Sequence, residues 1–126
     1  MRVYATRWFG RFARRQGLSA DRLLAAVAEI DAGLVDAELG GGLVKKRVAK
    51  AGRGRSSGYR TIVAVRQGEI AIFVYGFEKS SKASLSGDET RTYRDLAGVL
   101  LGYDEVALAQ AAKAGALRYV GMTERT

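Results

Sequence analysis

Residues 43–77 read LVKKRVAKAGRGRSSGYRTIVAVRQGEIAIFVYGF, and this stretch decides the fold. Leu43 to Ala49 and Tyr59 to Arg66 alternate imperfectly between apolar and polar residues, as half-buried strands do. Ile70 to Phe77 is almost continuously apolar, β-branched or aromatic, which reads as a central strand. Gln67-Gly68 between the last two runs suggests a tight hairpin turn. The three runs therefore predict an antiparallel meander.

Outward from the meander, the period changes to that of helices. Arg2 to Ala5 is a short strand candidate, and Thr6 is placed to cap the helix after it. Trp8, Phe9, Phe12 and Ala13 share one helical face and read as core filling, while Arg7, Arg11, Arg14 and Arg15 lie largely on the other side. Gly17 ends this helix. Ser19 caps a second, with Leu23, Leu24, Val27, Ala28 and Ile30 as its apolar stripe, stopping at Gly33. Beyond the meander, Glu78 to Lys82 is a polar exit. Ser86 or Asp88 caps a third helix with Tyr93, Leu96, Ala97, Leu100 and Leu101 on its apolar face. Asp104 opens a last helix reaching about Ala114, and residues 116–120 form a terminal strand or a tail. The order β-α-α-β-β-β-α-α is α+β: an antiparallel sheet flanked by two N-terminal helices and by C-terminal helices. At 126 residues, 1–126 is expected to be a single domain.

The chain carries 21 Lys and Arg against 13 Asp and Glu, a net charge of +8. Between Gly41 and Arg66 stand Lys45, Lys46, Arg47, Lys50, Arg53, Arg55, Arg60 and Arg66, with no acid among them. The remaining 13 cations are matched by the 13 acids, so the whole excess sits in one segment. Such a concentrated patch points to a polyanionic partner, since a merely solvated face mixes both signs. There are no Cys and no His. That excludes disulfides, thiolate metal sites, thiol nucleophiles and every His-based triad, and no metal or other cofactor is expected. It also fits a reducing, cytoplasmic location. No apolar run approaches the roughly 20 residues that span a bilayer, and MRVYATRWFGRF, with arginines inside its apolar part, does not read as a signal peptide.

On a strand, Lys45 and Arg47 point to one face and Val44 and Val48 to the other; Lys46 shares the valine face. Arg60, on the next strand, approaches Lys45 and Arg47 if the pairing is regular. The loop AGRGRSSG offers backbone N–H groups, hydroxyls, and Arg53 and Arg55, a composition suited to following a phosphate backbone. It matches neither a phosphate loop nor a dinucleotide fingerprint. Clustered cations without His suit cleavage of RNA. The 2′-hydroxyl is the nucleophile, and a protein need only align it, stabilise charge on the phosphorane and assist proton transfer. Arg60 suits bidentate phosphate contact and Lys45 is a candidate base. Lys46, Lys50, Arg53, Arg55 and Lys82 are the candidate phosphate contacts. The same residues also suit binding without catalysis.

The run LGGGLVKKRVAKAGRGRSSGYRTIVAVRQGEIAIFVYGFEKSSKASL, with FGRFARRQGLS and DETRTYRDLAGVLL, resembles the RelE/HigB family of type II toxin–antitoxin toxins, in particular its HigB-like branch. The resemblance covers roughly residues 1–102, leaving about 103–126 as a C-terminal extension. It implies an antiparallel sheet flanked by helices, and endonucleolytic cleavage of mRNA, usually in the ribosomal decoding site. It also implies a cognate antitoxin, often a helix-turn-helix protein, that neutralises the toxin. Carried over residue by residue, it marks Lys45, Arg47, Arg60 and Lys79 as catalytic, with Lys82 beyond them. The sequence departs from the family pattern at Ser80, where RelE has an arginine. It has no convincing counterpart of RelE's C-terminal tyrosine, since Tyr93 falls in a helix, and it lacks the catalytic His of some HigB proteins. Besides a pure interaction protein, which leaves the charge segregation unexplained, two other readings stay open. One is a gyrase-poisoning relative of the ParE type, in which Lys45 and Arg47 are dispensable. The other is a non-catalytic nucleic-acid-binding module.

Overall fold

The computed structural model describes residues 1–50 and 58–124. It holds β1 (Arg2–Thr6), α1 (Arg7–Gln16), α2 (Ala20–Asp31), β2 (Ala37–Gly40), β3 (Leu43–Val48), β4 (Tyr59–Arg66), β5 (Ile70–Glu78), α3 (Gly87–Leu101), α4 (Glu105–Lys113) and β6 (Leu117–Met122). All six strands form one sheet in the order β2-β3-β4-β5-β1-β6. The expected meander is β3-β4-β5, antiparallel throughout. β1 then lies parallel to β5, and β6 runs antiparallel to β1 on the outside.

Local chemistry sets the helix ends. The Thr6 side chain accepts from the Phe9 N–H, and Ser19 accepts from that of Arg22. Ser86 and Glu89 form a capping box at α3, and Asp104 caps α4. Helices α1 and α2 cover one face of the sheet, where Phe9, Phe12, Leu23 and Val27 pack on Val3, Val63 and Phe73. Helices α3 and α4 cover the other, where Ala97, Leu100 and Leu108 pack on Ile62, Ile70, Ile72 and Val74. Fully burying side chains such as Phe9 or Phe73 stabilises by about 1.5–3 kcal/mol each. Gly76 lets α1 close on β5: a Cβ there would lie 2.6 Å from Phe12 Cε2.

Two features differ from the sequence reading, and one alternative that it left open is decided. Residues 37–40 form an additional edge strand, joined to β3 by the turn at Gly40, Gly41 and Gly42, all three with positive φ (88°, 62° and 84°). The terminal strand belongs to the sheet, and its hydrogen bonds to β1 hold both ends of the chain together. Trp8 is 42% exposed rather than core. It lies at the start of α1, stacked on Phe12 (5.6 Å between centroids) and tilted over Tyr75 (4.7 Å).

Candidate nucleic-acid interface

Strand alternation sorts the cations of β3. Val44, Lys46 and Val48 face α1 and α2, whereas Leu43, Lys45 and Arg47 face the α3 side. The β3–β4 register places Arg47 directly opposite Arg60 and Lys45 opposite Ile62. On the other side of β4, Arg60 is opposite Phe77 of β5. Directly paired residues share a face, so Lys45, Arg47 and Arg60 meet on one surface, with Phe77 beside them.

Their surroundings differ. Arg60 is only 6% exposed, and its Nη1 is buried without a hydrogen-bond acceptor among the described residues. Leaving such a group unpaired costs on the order of 1–3 kcal/mol. Lys45 is half-buried and makes no ion pair among the described residues. Arg47 is exposed; its backbone N–H donates to the Asp36 carboxylate, and its Nε lies 3.8 Å from Asp36 Oδ1. That contact is long and partly solvated, and it leaves most of the guanidinium fork available.

The remaining sequence-derived candidates are distributed around this centre. Lys50 Nζ is 2.7 Å from Glu78 Oε2 and 5.4 Å above the Tyr59 ring. The Lys50 hydrogen bond holds the Glu78 carboxyl below its ordinary range, against some desolvation. Glu78, the last residue of β5, therefore pairs with Lys50, and Arg60 has no carboxylate partner among the described residues. Lys79 is exposed in the turn that follows β5. Lys82 is ion-paired with Glu89 at the start of α3 and lies 5.8 Å from the Tyr75 ring centroid. Lys46 does not join the group. It is buried on the opposite face, 2.8 Å from Glu29 Oε1 and 2.9 Å from the Leu34 carbonyl oxygen. Its ammonium is a structural clamp between β3 and the end of α2. Arg53 and Arg55 lie outside the described residues.

A line of aromatic rings beside Arg60 escaped the sequence reading. Tyr75 lies 5.9 Å from Phe77 and stacks on Tyr93 of α3 at 4.9 Å. Burial, and then the neighbouring Tyr75 and Glu89, raise the Tyr93 hydroxyl above its ordinary value. The signal was available: in an alternating strand Tyr75 and Phe77 share a face, and the meander brings that face to Arg60. A hollow between α2 and β3, lined by Arg22, Glu29, Lys46 and Arg47, is less suited to an anion. There Lys46 is already paired with Glu29, and Arg22 donates to the Ala49 carbonyl.

The surface thus offers one buried unpaired guanidinium, two further cations and adjacent aromatic rings. Chemically this suits a phosphate with bases on either side. Comparison with curated proteins yields no match. The family model described as the RelE toxin of the RelE/RelB toxin–antitoxin system matches residues 1–120. With that match spanning nearly the whole sheet and its four helices, the chain belongs to the RelE toxin family.

Proposed function

We propose that this toxin is an mRNA endoribonuclease acting at the ribosome in the cytoplasm, that it inhibits translation, and that a cognate antitoxin neutralises it. Family membership supports the class of activity, since RelE toxins are generally endoribonucleases. The observation that carries the reading is the buried, unpartnered Nη1 of Arg60 on the face it shares with Lys45 and Arg47.

In this mechanism Arg60 and Arg47 hold the scissile phosphate, and their charge opposes that developing on the phosphorane. The RNA supplies the nucleophile. Its 2′-oxygen attacks the adjacent phosphorus in line as the bond to the 5′-oxygen breaks, giving a cyclic phosphate and a 5′-hydroxyl end. Lys45 assists removal of the 2′-proton, and Lys79 stabilises the leaving oxygen, which takes a proton from solvent to become the 5′-hydroxyl. Lys50 and Lys82 contact flanking phosphates by exchanging their carboxylates, Glu78 and Glu89, for the nucleic acid. Tyr75 and Phe77 provide an apolar wall for a base. No step calls for a metal.

Induction in bacteria with mapping of mRNA 5′ ends tests this reading. New ends within translated regions are expected with the parent, and their loss with a Lys45→Ala/Arg60→Ala variant that still folds. Chromosomal DNA breaks without mRNA ends would favour gyrase poisoning and overturn it.

A further inference from the structure

The chain has a single tryptophan, Trp8, which takes no part in the cleavage mechanism. Its neighbours Phe9 and Phe12 are buried, yet Trp8 keeps 42% of its surface in solvent. The topology explains where it stands. β1 pairs with β5 only as far as Ala5 opposite Phe73, and then turns into α1. From Tyr75 to Glu78, β5 is paired within the sheet with β4 alone. Trp8, in the first turn of α1, stands beside this free edge, tilted over Tyr75 at 4.7 Å.

Trp8 prolongs the aromatic line that begins at Arg60. Phe77 is opposite Arg60, Tyr75 is 5.9 Å from Phe77, and Trp8 is the next ring along. Contacts with Tyr75 and with Phe12, 5.6 Å away, hold the indole in one orientation, so its exposed part is pre-organised. Cations flank it on two sides. Lys82 Nζ lies 5.8 Å from the Tyr75 ring centroid. On α1, Arg11 and Arg15 follow Trp8 at i+3 and i+7, on the same line of the helix. Both are exposed, and neither makes an ion pair among the described residues. The indole N–H likewise has no acceptor among the described residues.

We propose that Trp8 is a specificity-determining residue: its exposed indole surface receives a purine base of the bound RNA, from a nucleotide beyond the cleaved step. The strand runs from Arg60 past Phe77 and Tyr75 to Trp8, and the phosphates that follow lie along Arg11 and Arg15. An aromatic platform in line with unpaired guanidiniums is the pattern that holds single-stranded nucleic acid. It is also continuous with the face that holds the scissile phosphate. The preference for a purine follows from area, because two fused rings cover more of the indole than one, and stacking discriminates bases only through its strength. The inference rests on the reading of the cationic face as an RNA site, and not on the chemistry of cleavage.

Because Trp8 is the one indole in the chain, its fluorescence reads the site directly. The full chain is titrated with 2′-O-methyl hexaadenylate and hexauridylate, which bind but cannot be cleaved, and affinity is followed separately by anisotropy of dye-labelled RNA. Quenching of the indole by the adenylate is expected, with adenylate bound about threefold or more tighter than uridylate. Trp8→Leu should weaken adenylate binding by about fivefold or more and abolish the preference, and Trp8→Phe should restore part of both. Circular dichroism and urea unfolding check that both variants fold. An indole unquenched at saturating adenylate, or a preference that survives Trp8→Leu, overturns the proposal. So does quenching by ribosomes alone, which would assign Trp8 to the ribosome. Arg60→Ala separates the two readings. If it weakens RNA binding while the parent's indole stays unquenched, only the role of Trp8 fails; if it leaves binding unchanged, the RNA site itself fails.

Discussion

Arg47 and Arg60 stand directly opposite each other on antiparallel strands, two guanidinium side chains on one face, with the acid at the adjoining strand end held by Lys50. Like charges in this position destabilise a sheet, and Arg60 adds the cost of a buried donor without an acceptor. An anion bound between them relieves both penalties. Replacing Arg60 by Met should therefore raise folding stability by about 1–3 kcal/mol in urea unfolding while abolishing RNA cleavage. A variant that is both less stable and inactive would mean that Arg60 serves the fold.

Lys46 offers the opposite case. Its ammonium ties β3 to Glu29 and to the Leu34 carbonyl, away from the cationic face. Lys46→Ala should cost about 1–2 kcal/mol, discounted for the half-exposed Glu29. The salt dependence of RNA binding should stay as in the parent. A shallower salt slope would place Lys46 on the nucleic acid after all.

Gly76→Ala tests the packing of α1 on the sheet. The new methyl would meet Phe12 Cε2 at 2.6 Å and Phe9 Cε1 at 3.0 Å, both in a fully packed core. Overpacking of this kind costs about 1–3 kcal/mol. A drop in urea midpoint at unchanged slope is expected; an unchanged midpoint would show that α1 shifts freely.

The Lys82–Glu89 pair gives a pH signature. The hydrogen bond from Lys82, followed by that from the Ser86 backbone, holds Glu89 below its ordinary 4.5. The same hydrogen bond raises Lys82 above its ordinary 10.5, against some desolvation. The contribution of Glu89 is full above 4.5 and is lost as pH falls through its lowered folded value. That of Lys82 is full below 10.5 and is lost as pH rises through its raised value. Glu89→Gln should flatten the acid limb of the Tm–pH curve, by a small amount because the pair is partly exposed. An unaltered acid limb would contradict the pairing.

The meander, the helix caps and the placement of Lys45, Arg47 and Arg60 on one face were legible because alternation and capping are local rules. β2 was not legible: AELG has no β-branched or aromatic residue and runs into three glycines. Nor was the parallel seat of β1 beside β5, since no local pattern says which edge a terminal strand joins. The fate of individual charges was the least accessible. Glu29, Glu78 and Glu89 each choose one cation from several nearby in sequence, and only the packed sheet decides which. The aromatic line through Tyr75 was legible in principle, since alternation puts it on the face of Phe77.

The central claim is that the free arm of Arg60 receives an RNA phosphate. Its most direct test is the affinity of the parent and of Arg60→Ala for a short 2′-O-methyl RNA, which binds but cannot be cleaved, measured over a range of salt. Weaker binding by Arg60→Ala, with the logarithmic salt slope reduced by about 0.7 for one lost phosphate contact, is the expected result. Equal affinities and equal slopes would contradict it.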